Sequence, residues 1–184
     1  MRRGLRGVLV ECLRQSNRTR RKMPTTSVDL DQYLAPAGAA AASFARLWQN
    51  LWTQPYVTPA LLEMCRLTLA RLHQDEHEFG AANPHAPPGT VSAERREQVL
   101  AGRVFKSAAF SGEEKAVLLF TECYGLDPQS IADDVADEVK NCLGEPGLVF
   151  LIEALGCLDG RMRAARCLRD LARAATATGT GHVG

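Results

Sequence analysis

The residues most able to do chemistry lie in one short stretch, where three of the four histidines fall within thirteen positions: His73, His77 and His85. Carboxylates stand among them or one helix earlier: Glu63, Asp75, Glu76 and Glu78. Ionisable side chains packed this closely often have shifted pKa values and mark functional sites. The stretch therefore suggests either a metal site or acid/base catalysis.

A metal site would need both histidines on one helix face. His73 and His77 are four residues apart, which gives that geometry in a continuous helix, and Glu63 or Glu76 could complete a two-histidine, one-carboxylate set. Asp75 and Glu78, however, have the spacing of a capping box, which predicts a new helix start between the two histidines. We therefore expect no metal and no cofactor.

Acid/base catalysis would rest on Glu76. This residue continues the apolar stripe of Leu62, Leu69 and Leu72 if the helix axis is not strongly broken, and burial would raise its pKa. His77 could share the proton and Glu63 could support the pair. The alternative is a solvated helix start, where acidic side chains complement the helix dipole. The direction of His85, which follows Pro84 in a loop, is not readable from sequence.

The elements that position these residues are predicted to be helices. Alanine and leucine are abundant, and no useful strand-like alternation occurs, which favours helix over strand. Helical spacing of apolar residues, with capping residues and Gly or Pro stops, predicts helices over residues 39–53, 58–73, 76–82, 93–102, 111–125, 130–143 and 146–174. The fold class is therefore all-α, a single-domain bundle of about six to eight helices.

Charge divides the chain into a basic arm and an acidic body. Residues 1–22 hold eight basic residues and one acid, so the remainder carries a net charge of −6. We expect a basic, disordered extension over 1–30, a domain over 31–175 and a flexible tail over 176–184. The arm has three interpretations: an over-long start before Met23, a disordered arm, or a transit peptide. The acidic body repels phosphates, so a nucleic-acid partner is not expected.

The six cysteines do not have the spacing of a redox pair or a zinc site. They lie at positions 12, 65, 123, 142, 157 and 167, and the nearest two are ten residues apart. Reduced thiols acting as small core hydrophobes are the expectation. No uninterrupted apolar run reaches the roughly 18 residues of a membrane helix. We expect a cytoplasmic protein with no membrane partner.

Four segments together resemble a known family: residues 61–72, the Asp-Glu-His-Glu-Phe of residues 75–79, residues 110–122 and residues 148–163. In pattern and order they are similar to the carboxymuconolactone decarboxylase and alkylhydroperoxidase D-like proteins, over roughly residues 40–172. The resemblance implies an alkylhydroperoxidase D-like helical bundle that forms a homo-oligomer.

The family's redox motif is altered in this chain. Redox members carry a glutamate, a CxxC pair and a histidine at spacings of twelve, three and four. The glutamate position holds Glu63, but the cysteine positions hold Asp75 and Glu78, and the histidine position holds Ala82. Peroxide reduction needs a thiolate and a second thiol, which carboxylates cannot replace. Decarboxylase members have a glutamate at the position of Glu76, and their histidine again falls on Ala82.

Four functions follow as hypotheses. The first is a non-redox family member that binds a small apolar or acidic ligand, or a partner, in the vestigial pocket. The second is a lyase or isomerase on a carboxylated lactone-like compound, in which the catalytic residues are Glu76 to move the proton, His77 or alternatively His85 to share it, and Glu63 in support. The third is a thiol peroxidase that uses Cys65, and the fourth is nucleic-acid binding through the basic arm.

Overall fold

The described part of the chain, residues 26–179 of this computed structural model, is 71% helical and contains no β-strand. Its seven α-helices are α1 (Asp31–Leu34), α2 (Ala39–Leu51), α3 (Pro59–Leu72), α4 (Glu76–Phe79), α5 (Ala93–Leu100), α6 (Gly112–Leu126) and α7 (Asp133–Gly179). Two short 3-10 turns lie at Ala35–Ala37 and Val104–Lys106. The prediction of an all-α bundle is confirmed.

Local capping residues set where three of these helices begin. The hydroxyls of Thr58 and Ser92 accept hydrogen bonds from the third amide of α3 and of α5. Ser111 and Glu114 form the predicted capping box at the start of α6. Helix α7 begins three residues later than predicted, because the Ser130 hydroxyl donates to Asp127 in the preceding turn.

Helix α3 is the centre of the bundle. Ten consecutive residues, from Leu61 to Ala70, are buried, so every face of this helix is covered by its neighbours α5, α6 and α7. Gly125 allows the close approach of α6, since a Cβ there would lie 2.6 Å from Leu72 Cδ1 and 3.0 Å from Leu69 Cδ2. Two of the charged residues of α3, Glu63 and Arg66, therefore lie inside the core.

The helical path ends after α3, and the backbone turns before α4 begins. Gln74 has a φ of +54°, the Asp75 amide donates to the Ala70 carbonyl at 3.0 Å, and the Gln74 amide donates to the Arg71 carbonyl at 3.0 Å. This pattern is a Schellman motif, which ends a helix and redirects the backbone. The predicted break between His73 and His77 is confirmed, and the two residues do not share one helix face.

Helix α7 is interrupted at Gly144, whose φ of +74° and ψ of 170° are not helical, as the predicted stop there requires. Its apolar section has the length and composition of a membrane-crossing helix, and 39% of that section is buried inside the fold. Core helices of soluble proteins share this composition, so the expected absence of a membrane partner stays a prediction.

The first described residues pack against the bundle, which differs from the predicted domain boundary at residue 30. Residues 26–30, here called the N-terminal strap, place Ser27 and Leu30 in completely buried positions. At the other end, the helical backbone continues to Gly179, past the predicted boundary at 175. The basic arm up to residue 22, its three interpretations and Cys12 lie outside the described residues.

Candidate functional site

Three fully buried charged side chains meet beside the central helix, and we call them the ion cluster: Glu63, Arg66 and Glu78. The Arg66 guanidinium donates two parallel hydrogen bonds of 2.8 Å to the Glu63 carboxylate. Its third side binds Glu78 Oε2 at 2.7 Å and the Glu78 carbonyl at 3.2 Å. The planar guanidinium thus joins α3 to α4, a geometry that lysine could not reproduce.

The pKa values of the two carboxylates of the ion cluster are shifted in opposite directions. Burial raises the pKa of Glu63, but hydrogen bonds from Arg66, Asn83 and Arg96 outweigh burial and hold it below its ordinary value. Burial dominates at Glu78 and leaves its pKa raised, although Arg66 and Ser27 favour the charged form. Both oxygens of Glu63 are fully engaged, so a role for it as a proton acceptor would require this network to open.

Each carboxylate of the ion cluster is closed off by a different segment. Asn83 Nδ2 and Arg96 Nη1 donate to Glu63 at 2.9 and 3.0 Å. The Ser27 hydroxyl donates to Glu78 Oε2 at 2.9 Å, and the Ser27 amide donates to the other oxygen. The strap therefore covers Glu78, while the loop before α5 covers Glu63.

Asp75 is also buried in an ion pair. Its carboxylate accepts a hydrogen bond from Arg169 of α7 and caps α4 by accepting from the His77 amide at 3.2 Å. The predicted capping box is not formed, because the Asp75 side chain binds the His77 amide instead of the Glu78 amide, and the Glu78 side chain binds Arg66 and Ser27 and leaves the Asp75 amide to the Ala70 carbonyl. Both positions that hold sulfur in the resembling family thus hold carboxylates paired with arginine.

Glu63 also borders a cavity of about 370 Å³, which we call the Ala82 cavity. Its polar lining includes Glu63, Asn83 and Arg96, and its small or apolar lining includes Ala82, Ala86, Pro87 and Val91. Two positions of the resembling motif, Glu63 and Ala82, therefore open on the same space. The cavity walls come mostly from the loop between α4 and α5.

Glu76 and His77 lie apart from Glu63. Both are exposed on α4 and border a separate cavity of about 240 Å³, together with Gln74 and arginines of α7. His77 Nε2 lies 3.2 Å from Arg173, which can only donate, so the imidazole nitrogen accepts. The structure brings Glu76 and His77 together and does not bring Glu63 to them.

The other two histidines of the stretch, His73 and His85, each contact a side chain of another helix. His85 stacks on Trp52 with ring centroids 5.7 Å apart and planes 8° from parallel, which settles its direction. Burial, followed by the charge of Arg161, lowers the pKa of His85. His73 pairs with Asp159 of α7. Neither imidazole lines the Ala82 cavity.

Sequence reasoning missed Arg66, Ser27, Asn83 and Arg96. Arg66 carried a usable signal, because it lies three residues after Glu63 on an otherwise apolar helix, where a charge needs an internal partner. Ser27 carried none, since its partner Glu78 lies 51 residues away.

The five described cysteines are all free thiols, in three kinds of environment. Cys65 and Cys157 are buried, Cys123 is half-buried, and Cys142 and Cys167 are exposed. Two of them thus differ from the expected core position. The Cys65 sulfur accepts a hydrogen bond from Thr121 at 3.3 Å, yet burial raises its pKa to about 12. At neutral pH Cys65 is protonated and shielded, so it lacks the properties of a nucleophile.

We expect iodoacetamide to leave Cys65 unmodified in the native protein. The reagent needs a thiolate and access to it, and Cys65 offers neither, whereas exposed Cys142 should be alkylated under the same conditions. Peptide mapping by mass spectrometry after a timed reaction measures both sites, and urea-unfolded protein shows that the Cys65 peptide is detectable. Equal labelling of Cys65 and Cys142 in the native chain would revive a thiol mechanism.

Comparison with known proteins adds no identification. No protein-family model, curated protein or solved structure matches the chain. Within the described residues, no group of three or more His, Cys, Asp and Glu side chains is arranged to hold a metal ion. The ion cluster and the Ala82 cavity are therefore the features of the described residues that bear on function.

Proposed function

We propose that this chain is an alkylhydroperoxidase D-like protein without thiol chemistry, which binds a small apolar or acidic molecule in the Ala82 cavity. One observation carries the proposal. Two positions of the resembling motif line this cavity, Glu63 and Ala82, while the two cysteine positions hold Asp75 and Glu78 in buried ion pairs. These carboxylates occupy the start of α4, where redox members of the resembling family carry cysteines, and they are held there by arginine. The Ala82 cavity beside Glu63 is open to a ligand.

The chemistry of the lining supports such a ligand. Ala86, Pro87 and Val91 offer apolar contact, and Arg96 is the one cation among the lining residues. Its guanidinium is partly exposed and donates to Glu63 and to the Phe79 carbonyl, which fixes its position. A flat apolar body with an acidic group directed at Arg96 matches this arrangement.

The geometry gives the two catalytic alternatives less support. The lyase or isomerase needs Glu76 and His77 in one site with Glu63, and they lie at separate cavities. The thiol peroxidase needs a reactive Cys65, which is buried and has a raised pKa. Binding without electron transfer therefore remains the function that the described contacts favour.

We expect Ala82→Leu to weaken ligand binding at least about tenfold, because three added carbon atoms would fill part of the cavity beside Glu63. Saturation-transfer NMR with benzoate and 1-naphthoate as probes measures the binding. Ala42→Leu, an equal enlargement at an exposed position of α2, is the matched control and should bind like the unmodified chain. Equal binding by both variants, or no transfer to either probe in the unmodified chain, would count against the proposal.

A further inference from the structure

An open groove of about 610 Å³ lies between α2 and α7, and we call it the α2–α7 groove. Its lining combines large apolar side chains with two acids: Leu47, Tyr56, Val149, Phe150, Glu145 and Glu153. Val149 and Tyr56 are 62% and 42% exposed, so the groove leaves apolar surface in contact with water. An exposed apolar surface with a polar rim is typical of a place where another segment docks.

The charge of the α2–α7 groove is negative. No lysine or arginine is among its described lining residues, and Glu153 is exposed without an ion-pair partner in the described part of the chain. Glu145 lies 3.7 Å from Lys140 Nζ, but its side chain is 75% exposed, so this pair is weak. The groove therefore favours a basic occupant with an apolar side.

The chain itself contains a segment with these two properties. Residues 1–22, the basic arm, carry eight basic side chains and one acid. Within the arm, four apolar residues have the i, i+3, i+4, i+7 spacing of one helix face: Leu5, Val8, Leu9 and Cys12. Three arginines fall outside that face: Arg3, Arg6 and Arg14. The pattern predicts an amphipathic helix over residues 4–14, which we call the arm segment.

The arm segment matches the α2–α7 groove in length. Its apolar face spans about 10 Å from Leu5 to Cys12, at about 1.5 Å per residue. The wall that α7 contributes spans about 12 Å from Glu145 to Glu153 on the same scale. Amphipathic helices that lie in grooves bind through apolar side chains at this spacing. Two turns of the arm segment therefore fill the groove and bring arginines toward its two acids.

The connection between the arm segment and the bundle is long enough for this docking. Ser27 is held by Arg161, whose guanidinium lies 4.3 Å from the centroid of the Trp48 ring in α2, one wall of the groove. Arg161 and Glu145 are about 24 Å apart along α7. Residues 15–25 span up to roughly 35 Å when extended. The arm segment thus reaches the groove while the strap stays in place, and the tether raises its local concentration.

We propose that the basic arm folds back on its own bundle, with the arm segment docked as a helix in the α2–α7 groove. Its apolar face covers Tyr56 and Val149, and its arginines face Glu145 and Glu153. The occupant is this segment because its charge, its apolar spacing and its tether all suit the groove. The docking is independent of the ligand proposed for the Ala82 cavity, which shares no lining residue with the groove.

The first test is limited proteolysis of the full chain with trypsin. Cleavage after Arg6 should be slow relative to cleavage after Arg21, because the protease acts on the undocked arm segment. Leu9→Asp should speed the cleavage after Arg6 about tenfold or more, since it places a charge on the docked face. Val10→Asp places the same charge outside that face, so this matched control should be cleaved like the unmodified chain.

Two results of the proteolysis would overturn the proposal. The first is equally fast cleavage after Arg6 and Arg21 in the unmodified chain. The second is protection of Arg6 that appears only when phosphatidylserine vesicles are added, because the arm segment would then bind a membrane surface and not the groove.

The second test locates the arm segment by a cross-link. In a chain with Cys142→Ser and Cys167→Ser, Val149→Cys should form an intramolecular disulfide with Cys12 when the two thiols are oxidised by diamide. Leu126→Cys, at an exposed position at the end of α6, is the control and should not form one. Peptide mapping by mass spectrometry at low protein concentration identifies the bond. Cross-linking at both positions, at neither, or only between two copies would contradict docking in the groove.

Discussion

The Arg66→Met variant is expected to lose about 3–5 kcal/mol of unfolding free energy, because the substitution leaves two carboxylates buried without their cation. Arg66 is completely buried and joins Glu63 of α3 to Glu78 of α4. Methionine fills much of the same volume, so the loss reflects charge and hydrogen bonding more than a cavity. Urea denaturation followed by circular dichroism measures it.

Acidification distinguishes the charge effect from a packing defect. Removal of Arg66 takes away a cation that lowers the pKa of both carboxyls, so we expect both pKa values in the folded variant to rise, that of Glu78 most because burial already raises it. The folded variant then binds protons more tightly than the unfolded variant does, so lowering the pH stabilises it. The difference in unfolding free energy between Arg66→Met and the unmodified chain should therefore shrink as the pH falls from 7 toward 5. A deficit that does not change with pH would assign the loss to packing.

A matched control for Arg66→Met is Arg103→Met. Arg103 forms an ion pair with Glu97 at 2.8 Å in which both side chains are more than half exposed. Exposed pairs contribute about 0–1 kcal/mol, so this variant should unfold nearly like the unmodified chain. Equal losses of unfolding free energy in Arg66→Met and Arg103→Met would show that the ion cluster does not stabilise the fold more than an exposed ion pair does.

The Arg161→Met variant should release the N-terminal strap and cost about 2–4 kcal/mol. Arg161 is completely buried, donates to the Ser27 carbonyl at 2.9 and 2.8 Å, and binds Asp31 at 2.7 Å. Its guanidinium also lies over the Trp48 ring, 4.3 Å from the centroid. No other described residue ties Ser27 directly to α7.

Hydrogen exchange gives the local measurement for Arg161→Met. The Ser27 amide donates to Glu78, so its protection should fall with the strap, while amides in the middle of α3 keep theirs. Arg46→Met is the control, since Arg46 is exposed on α2 and donates a hydrogen bond to the exposed Ser43 hydroxyl one turn away. Unchanged protection at Ser27 in the Arg161 variant would show that the strap is held by other contacts.

Most helix boundaries could be predicted because their signals are local. Thr58, Ser92 and Ser111 each satisfy an amide within three residues, so a short window of sequence contains the whole interaction. The stop at Gly144 is equally local, since its positive φ suits glycine. Where a local signal had a competitor, the prediction was less accurate, as at Ser130.

The ion cluster could not be predicted because its contacts join distant segments. Asp75 and Glu78 have the spacing of a capping box, but Arg66 and Ser27 compete for Glu78, and only the fold brings them within reach. For the same reason the sequence could not place Glu76, whose exposure depends on the turn at Gln74. Glu63 was predicted as a residue that supports catalysis and stays a prediction in that role, while its burial and its three hydrogen-bonding partners were not predicted.

The strap has a consequence for synthesis of the chain on the ribosome. Ser27 emerges early, yet Arg161, which holds its carbonyl, lies 134 residues further along and emerges only near the end of translation. The nascent chain can therefore complete the docking of residues 26–30 only after α7 is made, although Glu78, the other partner of Ser27, emerges earlier. Complete docking of the strap is then a late folding event that follows the synthesis of α7, and in a chain truncated before Arg161 the Ser27 carbonyl would lack its guanidinium partner and the strap would be held by its bonds to Glu78.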